Sequence, residues 1–217
     1  MKWQGRERSD NVEDRRGMGT GGRMAIGGGI GTVLIVLIVL LLGGDPSALL
    51  DDPGTMIRTE QYTPSAEEEE LAYFVSVVLK DTETVWDEIF RKSGRTYRQP
   101  KLVLFSGQVE SACGYASASS GPFYCPGDEK VYIDLNFFSE LQNRLGAHGD
   151  FAVAYVIAHE IGHHVQNLLG ILDQVNSQRA GLNQVQSNKL LVRLELQADF
   201  LSGVWAHYAD RMLNTLE

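Results

Sequence analysis

Within the run YVIAHEIGHHVQNLLG, Tyr155 to Gly170, three histidines and a glutamate interrupt an otherwise apolar, helix-like sequence. On an α-helix, His159 and His163 stand four residues apart, on one face and one turn from each other. That separation lets two imidazoles reach one metal ion at about 2.0–2.1 Å, the Zn–N distance. Glu160 is rotated by about 100° from His159, which puts it at the edge of such a site and outside the ligand set. This is the H-E-x-x-H arrangement, in which the glutamate can take a proton from a water held by zinc. The alternative is a set of polar residues on a solvent-facing helix. Ala154, Val156, Ile157, Ala158 and Ile161 oppose it, since they leave little of this turn polar enough to face water. Gly162 is small enough to let another part of the chain approach closely.

A catalytic zinc takes three protein ligands and keeps one position open. A metzincin would place glycine at 166 and histidine at 169, where this chain has Gln166 and Leu169. Further on, LELQADFLSGVWAH offers Glu195 and Asp199, again four apart on one helical face. The spacing suits Glu195 as the oxygen ligand. Asp199 would then accept a hydrogen bond from a ligand histidine and fix its tautomer. Two alternatives stay open: Asp199 as the ligand, or Glu195 in a surface ion pair with Lys189 or Arg193. His164 points about 100° away from His163 and is expected to support the site, not the ion. Tyr155 is expected in the core, His207 on a helix surface and His148 in a loop.

The elements that must carry these residues are readable in outline. Pro46, Pro53, Gly54 and Pro64 mark residues 43–66 as a linker. Ser65 followed by Glu67 to Glu70 predicts a helix start, and apolar residues recur at helical spacing from Leu71 to Phe90. KLVLF (101–105) and KVYIDL (130–135) read as strands around a Gly- and Ser-rich loop. Asp150 is expected to cap a helix over 151–169 that stops at Gly170. A last helical stretch covers about 174–214, with Gly181 as its break. The expected fold of residues 67–217 is α+β: helix-dominated and zincin-like, with a small antiparallel or mixed sheet.

A net charge of -9 argues against nucleic acid as a partner. Residues 25–42, AIGGGIGTVLIVLIVLLL, carry no charge and would span roughly 27 Å as a helix, close to a bilayer's hydrocarbon thickness. A cleaved signal peptide is the rival, but 24 residues precede the run and no good cleavage site follows it. Lys2, Arg6, Arg8, Arg15, Arg16 and Arg23 precede the span and the next basic residue is Arg58. The positive-inside rule then predicts residues 1–24 as a cytoplasmic tail, a single transmembrane helix in the lipid bilayer, and an extracytoplasmic domain. There Cys113 and Cys125 are expected to form a disulfide, with zinc binding by the pair as the weaker alternative.

The chain resembles the neutral zinc metallopeptidases of bacteria, membrane-anchored proteins with a gluzincin-like site. The stretches that carry the resemblance are MKWQGRERSDNVEDRRG, QPKLVLF, GPFYCPGDEKVYIDL, GDFAVAYVIAHEIGHHVQNLLGI and LELQADFLSGVWAH. The resemblance implies His159, His163 and Glu195 as ligands of Zn²⁺ and Glu160 as catalytic base. Cys113 and Cys125 fall at cysteine positions of the family. In two respects the chain departs from that pattern: Phe200 stands where the family usually has cysteine, and the family continues past GVWA where this chain ends at Glu217. The missing tail could hold part of the substrate cleft. The expected function is hydrolysis of peptide or protein substrates, with a catalytically inactive zinc-containing binding module as the alternative. Strand residues Val131 to Leu135 could align an extended substrate.

Overall fold

The computed structural model describes residues 1–18, 62–117, 120–138 and 149–215. Residues 1–16 and 64–217 form one compact unit, and 17–63 a second. The elements of the first unit are β1 (Val12–Asp14), α1 (Ala66–Lys92), β2 (Lys101–Phe105), β3 (Gln108–Ser111), β4 (Gly114–Ser117), β5 (Phe123–Cys125), β6 (Lys130–Asp134), α2 (Asp150–Leu168), α3 (Ile171–Arg179) and α4 (Gln184–Leu213).

Helix α1 begins as its sequence predicts. Ser65 accepts from the Glu68 N–H while the Glu68 carboxylate accepts from the Ser65 N–H, a reciprocal cap that satisfies two otherwise orphaned donors. Phe74, Val75, Val78, Leu79, Val85, Trp86 and Phe90 are its buried face. Asp150 does not cap α2. Gly149 holds that position with no side-chain bond, and Asp150 lies in the first turn, where its carboxylate accepts from Trp3 Nε1 at 2.8 Å. Gly170, with φ 74°, turns the chain from α2 into α3, and the break at Gly181 separates α3 from α4.

The main sheet runs β1-β2-β6-β5; β1, β2 and β6 are parallel and β5 is antiparallel to β6. Alternation along the strands sends side chains to two cores. Leu102, Leu104, Val131 and Ile133 pack with the helices. Val103, Phe105 and Tyr132 face the opposite way, against Val109 and Cys125. The β3–β4 hairpin is antiparallel, and a bond from Cys113 to Cys125 joins the turn of that hairpin to the end of β5. Because β6 is hydrogen-bonded to β2 on one side and β5 on the other, it has no free edge for a substrate; among the described strands β5 is the edge beside it.

Residues 1–16 belong to the domain. The Leu102 N–H donates to Asn11 O at 2.9 Å and the Arg15 N–H to Leu104 O at 2.8 Å, which makes β1 a sheet strand. Trp3 is buried against Tyr73 and Phe74 of α1. Ser9 and Asn11 both donate to the buried Glu83 carboxylate.

This corrects the expectation of a single-pass membrane protein. The expected span at 25–42 lies outside the described residues, as does most of the linker at 43–66. Among the described residues no helix is long and apolar enough to cross a membrane. Helices α1 and α4, of 27 and 30 residues, have the length but carry charges along it. A single crossing between residues 16 and 64 would also put β1 and β2 on opposite sides of a bilayer, whereas they share a sheet. The transmembrane helix, the bilayer as partner, the cytoplasmic N-terminus and the extracytoplasmic placement are therefore set aside. The domain itself is α+β.

Candidate metal centre

Helices α2 and α4 pack side by side, and their contact brings together three residues separated by up to 36 positions in sequence. His159 and His163 project from adjacent turns of α2, their ring centroids 4.8 Å apart. Glu195 of α4 reaches across to both: its Oε2 lies 3.2 Å from His159 Nε2 and 3.4 Å from His163 Nε2. One ligand atom from each residue falls within 4.8 Å of the others, and no other cluster of this kind occurs among the described residues.

Zinc fits this donor set. Two atoms on a tetrahedron around an ion about 2.05 Å away stand about 3.3 Å apart, which the two nitrogen–oxygen distances match. Two nitrogens and one oxygen leave a fourth position. The site opens to solvent there: the histidine side chains are 18% and 15% exposed and that of Glu195 54%.

Each imidazole has a partner on its far nitrogen. His159 Nδ1 lies 2.9 Å from Asp199 Oδ1, one turn beyond Glu195 on α4. The same oxygen accepts from the Tyr155 hydroxyl at 2.5 Å, so Tyr155 is partly exposed and not a core residue. The bond from Tyr155 and then His159 holds the Asp199 carboxyl below its usual value. His163 Nδ1 lies 2.9 Å from Oε1 of Gln166, which is fully buried between the helices.

Glu160 sits behind the ligands, 8% exposed, facing β5. Burial pushes its carboxyl up to about 7; nearby His163 and a backbone N–H bond from Tyr124 act against this, while the Glu195 charge adds to it. A carboxylate with an affinity for protons near neutrality can both accept and release one.

His164 holds β5 in place. Its Nε2 lies 2.6 Å from the Arg98 carbonyl, which can only accept, so Nε2 carries the proton. Nδ1 is then the acceptor, 3.0 Å from the Tyr124 hydroxyl, which in turn accepts from Asn167. Burial lowers the proton affinity of His164 and keeps it neutral. His207 is exposed on α4, and His148 lies outside the described residues.

Two contributors were not singled out from sequence. Gln166 follows His163 by three positions on the same helical face, a spacing that could have signalled it. The Tyr124 N–H belongs to a strand hidden in a Gly- and Ser-rich stretch, where no side-chain pattern announces it.

Residues 1–217 match the family described as "Putative neutral zinc metallopeptidase". The uncharacterized protein YpfJ of Escherichia coli (strain K12) is 46% identical over 215 residues, covering 95% of this chain and 75% of its own length. The uncharacterized protein Mb2605 of Mycobacterium bovis is 50% identical over 115 residues, 52% of this chain and 38% of its own. No solved structure matches. With a match over its whole length, and with a histidine–histidine–glutamate cluster that suits the metal, this chain belongs to the neutral zinc metallopeptidase family.

Proposed function

We propose that the domain is a zinc-dependent peptidase in which His159, His163 and Glu195 hold the metal and Glu160 is the general base. The observation that carries this reading is the convergence of His159 Nε2, His163 Nε2 and Glu195 Oε2 beside a buried carboxylate whose proton affinity is raised to about 7. Zinc supplies Lewis acidity towards a scissile carbonyl and brings the pKa of a water near 7. Glu160 accepts the proton of the attacking water and returns it to the nitrogen of the leaving amine. Burial under β5 keeps Glu160 from being levelled by bulk water. Asp199 holds the His159 ring through Nδ1, leaving Nε2 aimed at Glu195.

A peptide substrate would lie extended along β5. That strand is an edge among those described, and Tyr124 in its middle contacts Glu160 through its N–H. An added strand gains main-chain hydrogen bonds and passes the catalytic carboxylate.

Glu160→Gln tests the reading, because the amide keeps the shape and cannot take the proton. Hydrolysis of an unfolded casein-like substrate is expected to fall by about 100-fold or more while zinc content is unchanged. Equal turnover by the variant and the parent would contradict the peptidase. Zinc retained with no turnover in either protein would point instead to a binding module that keeps its metal for structure.

A further inference from the structure

We propose that Gln166 is a positioning residue of the metal centre: it fixes the tautomer of His163 and ties the histidine helix to the glutamate helix beside the third ligand. The proposal rests on the metal reading above for its purpose, but its geometry stands without it.

The orientation of the Gln166 amide is dictated, not chosen. One end lies 2.7 Å from the carbonyl oxygen of Leu194, a group that can only accept. That end is therefore the NH₂, which also reaches Gln197 Oε1 at 3.1 Å. The other end is then the oxygen, 2.9 Å from His163 Nδ1. An amide oxygen can only accept, so His163 Nδ1 must carry the proton. Its Nε2 keeps the lone pair, and Nε2 is the atom that faces Glu195. A polar relay thus runs from the Leu194 carbonyl through Gln166 to the imidazole, and its far end is one residue from Glu195.

Burial gives this relay weight. Gln166 is fully buried, and a buried amide with unpaired ends costs about 1–3 kcal/mol, so the side chain is held where all its partners are met. The two ligand histidines are also oriented differently. His159 leans on a partly exposed carboxylate of α4, whereas His163 leans on a buried neutral amide of its own helix. A second carboxylate at position 166 would add buried negative charge close to Glu160; the amide supplies an acceptor without that cost.

The test uses the whole chain with ¹⁵N-labelled histidine. In the metal-free protein at alkaline pH, the His163 ring is expected as the Nδ1–H tautomer by ¹H–¹⁵N correlation. The Nε2–H form, or an even mixture, in the parent protein would overturn the proposal with no variant needed. Gln166→Met fills the same space without hydrogen bonds. It is expected to mix the tautomers and to weaken zinc binding by about 10- to 100-fold in competition with a chromophoric chelator. Gln166→Glu, which keeps an acceptor opposite Nδ1, is expected to hold the Nδ1–H tautomer. A folded Gln166→Met protein with parental tautomer and parental zinc affinity would overturn the role of Gln166 while leaving the metal centre intact. A parent that binds no zinc would sink the metal centre and, with it, the purpose assigned here.

Discussion

Gly162 and Ala198 meet with no room for a side-chain carbon between them: a Cβ at position 162 would stand 3.0 Å from the Ala198 carbonyl oxygen and 3.2 Å from its Cα. Gly162 lies between the two histidine ligands on α2, and Ala198 between Glu195 and Asp199 on α4. The closest approach of the two helices is thus at the metal centre. The absence of one methyl group lets a carboxylate on one helix reach imidazoles on the other.

Gly162→Ala is expected to destabilise the domain. In an ordinary helix interior this exchange gains up to about 1 kcal/mol. Here the new carbon would press on backbone, which cannot swing aside, and overpacking of that kind costs about 1–3 kcal/mol. Urea denaturation should show the loss, and zinc affinity should fall as α4 is pushed away. A more stable variant with unchanged affinity would show that the approach is looser than described.

Trp3→Ala tests whether the N-terminal segment is part of the domain. Trp3 is 9% exposed, packs on Tyr73 and Phe74, and donates to Asp150 in the first turn of α2. Removing it is expected to cost about 3–5 kcal/mol in denaturant unfolding. A change below about 0.5 kcal/mol would mean that residues 1–16 do not pack as described.

Glu13 gives that segment a dependence on pH. Lys130 above all, then Arg15 and Lys101, hold its carboxyl at about 2, against 4.5 when unfolded. A depressed carboxyl contributes its stability above the unfolded value and loses it as pH falls through the folded one. The window is therefore about pH 4.5 down to about 2. The side chain is 25% exposed and its partners are solvated, so screening reduces the contribution to about 1 kcal/mol. Glu13→Gln is expected to cost that much at neutral pH and to flatten stability across the window. A variant whose acid dependence matches the parent would contradict this.

How much of this was legible depends on how local each signal is. The histidines of α2 and the carboxylates of α4 could be grouped because four-residue spacing fixes a helical face whatever the rest of the chain does. The start of α1 and the strands at 101 and 130 were likewise written locally, in a cap and in short β-type runs. β1 was not. Its sequence is Val-Glu-Asp, and what makes it a strand is the pair of lysines on β2 and β6 that meet Glu13. β5 was hidden for a similar reason: three residues in a Gly- and Ser-rich stretch become a strand only by pairing with β6. The membrane expectation came from hydropathy and basic-residue counts in one region, and neither quantity senses that residues 1–16 return to the sheet. Gln166 gains its meaning from a carbonyl 28 positions away.

The central claim is that one divalent ion is held jointly by α2 and α4. Metal content measured on the chain purified without added zinc, alongside His163→Ala and Glu195→Ala, tests it most directly. The account predicts one zinc per chain in the parent and far less than one in either variant, with all three folded. A folded parent without stoichiometric metal, or variants that keep it in full, would contradict the account.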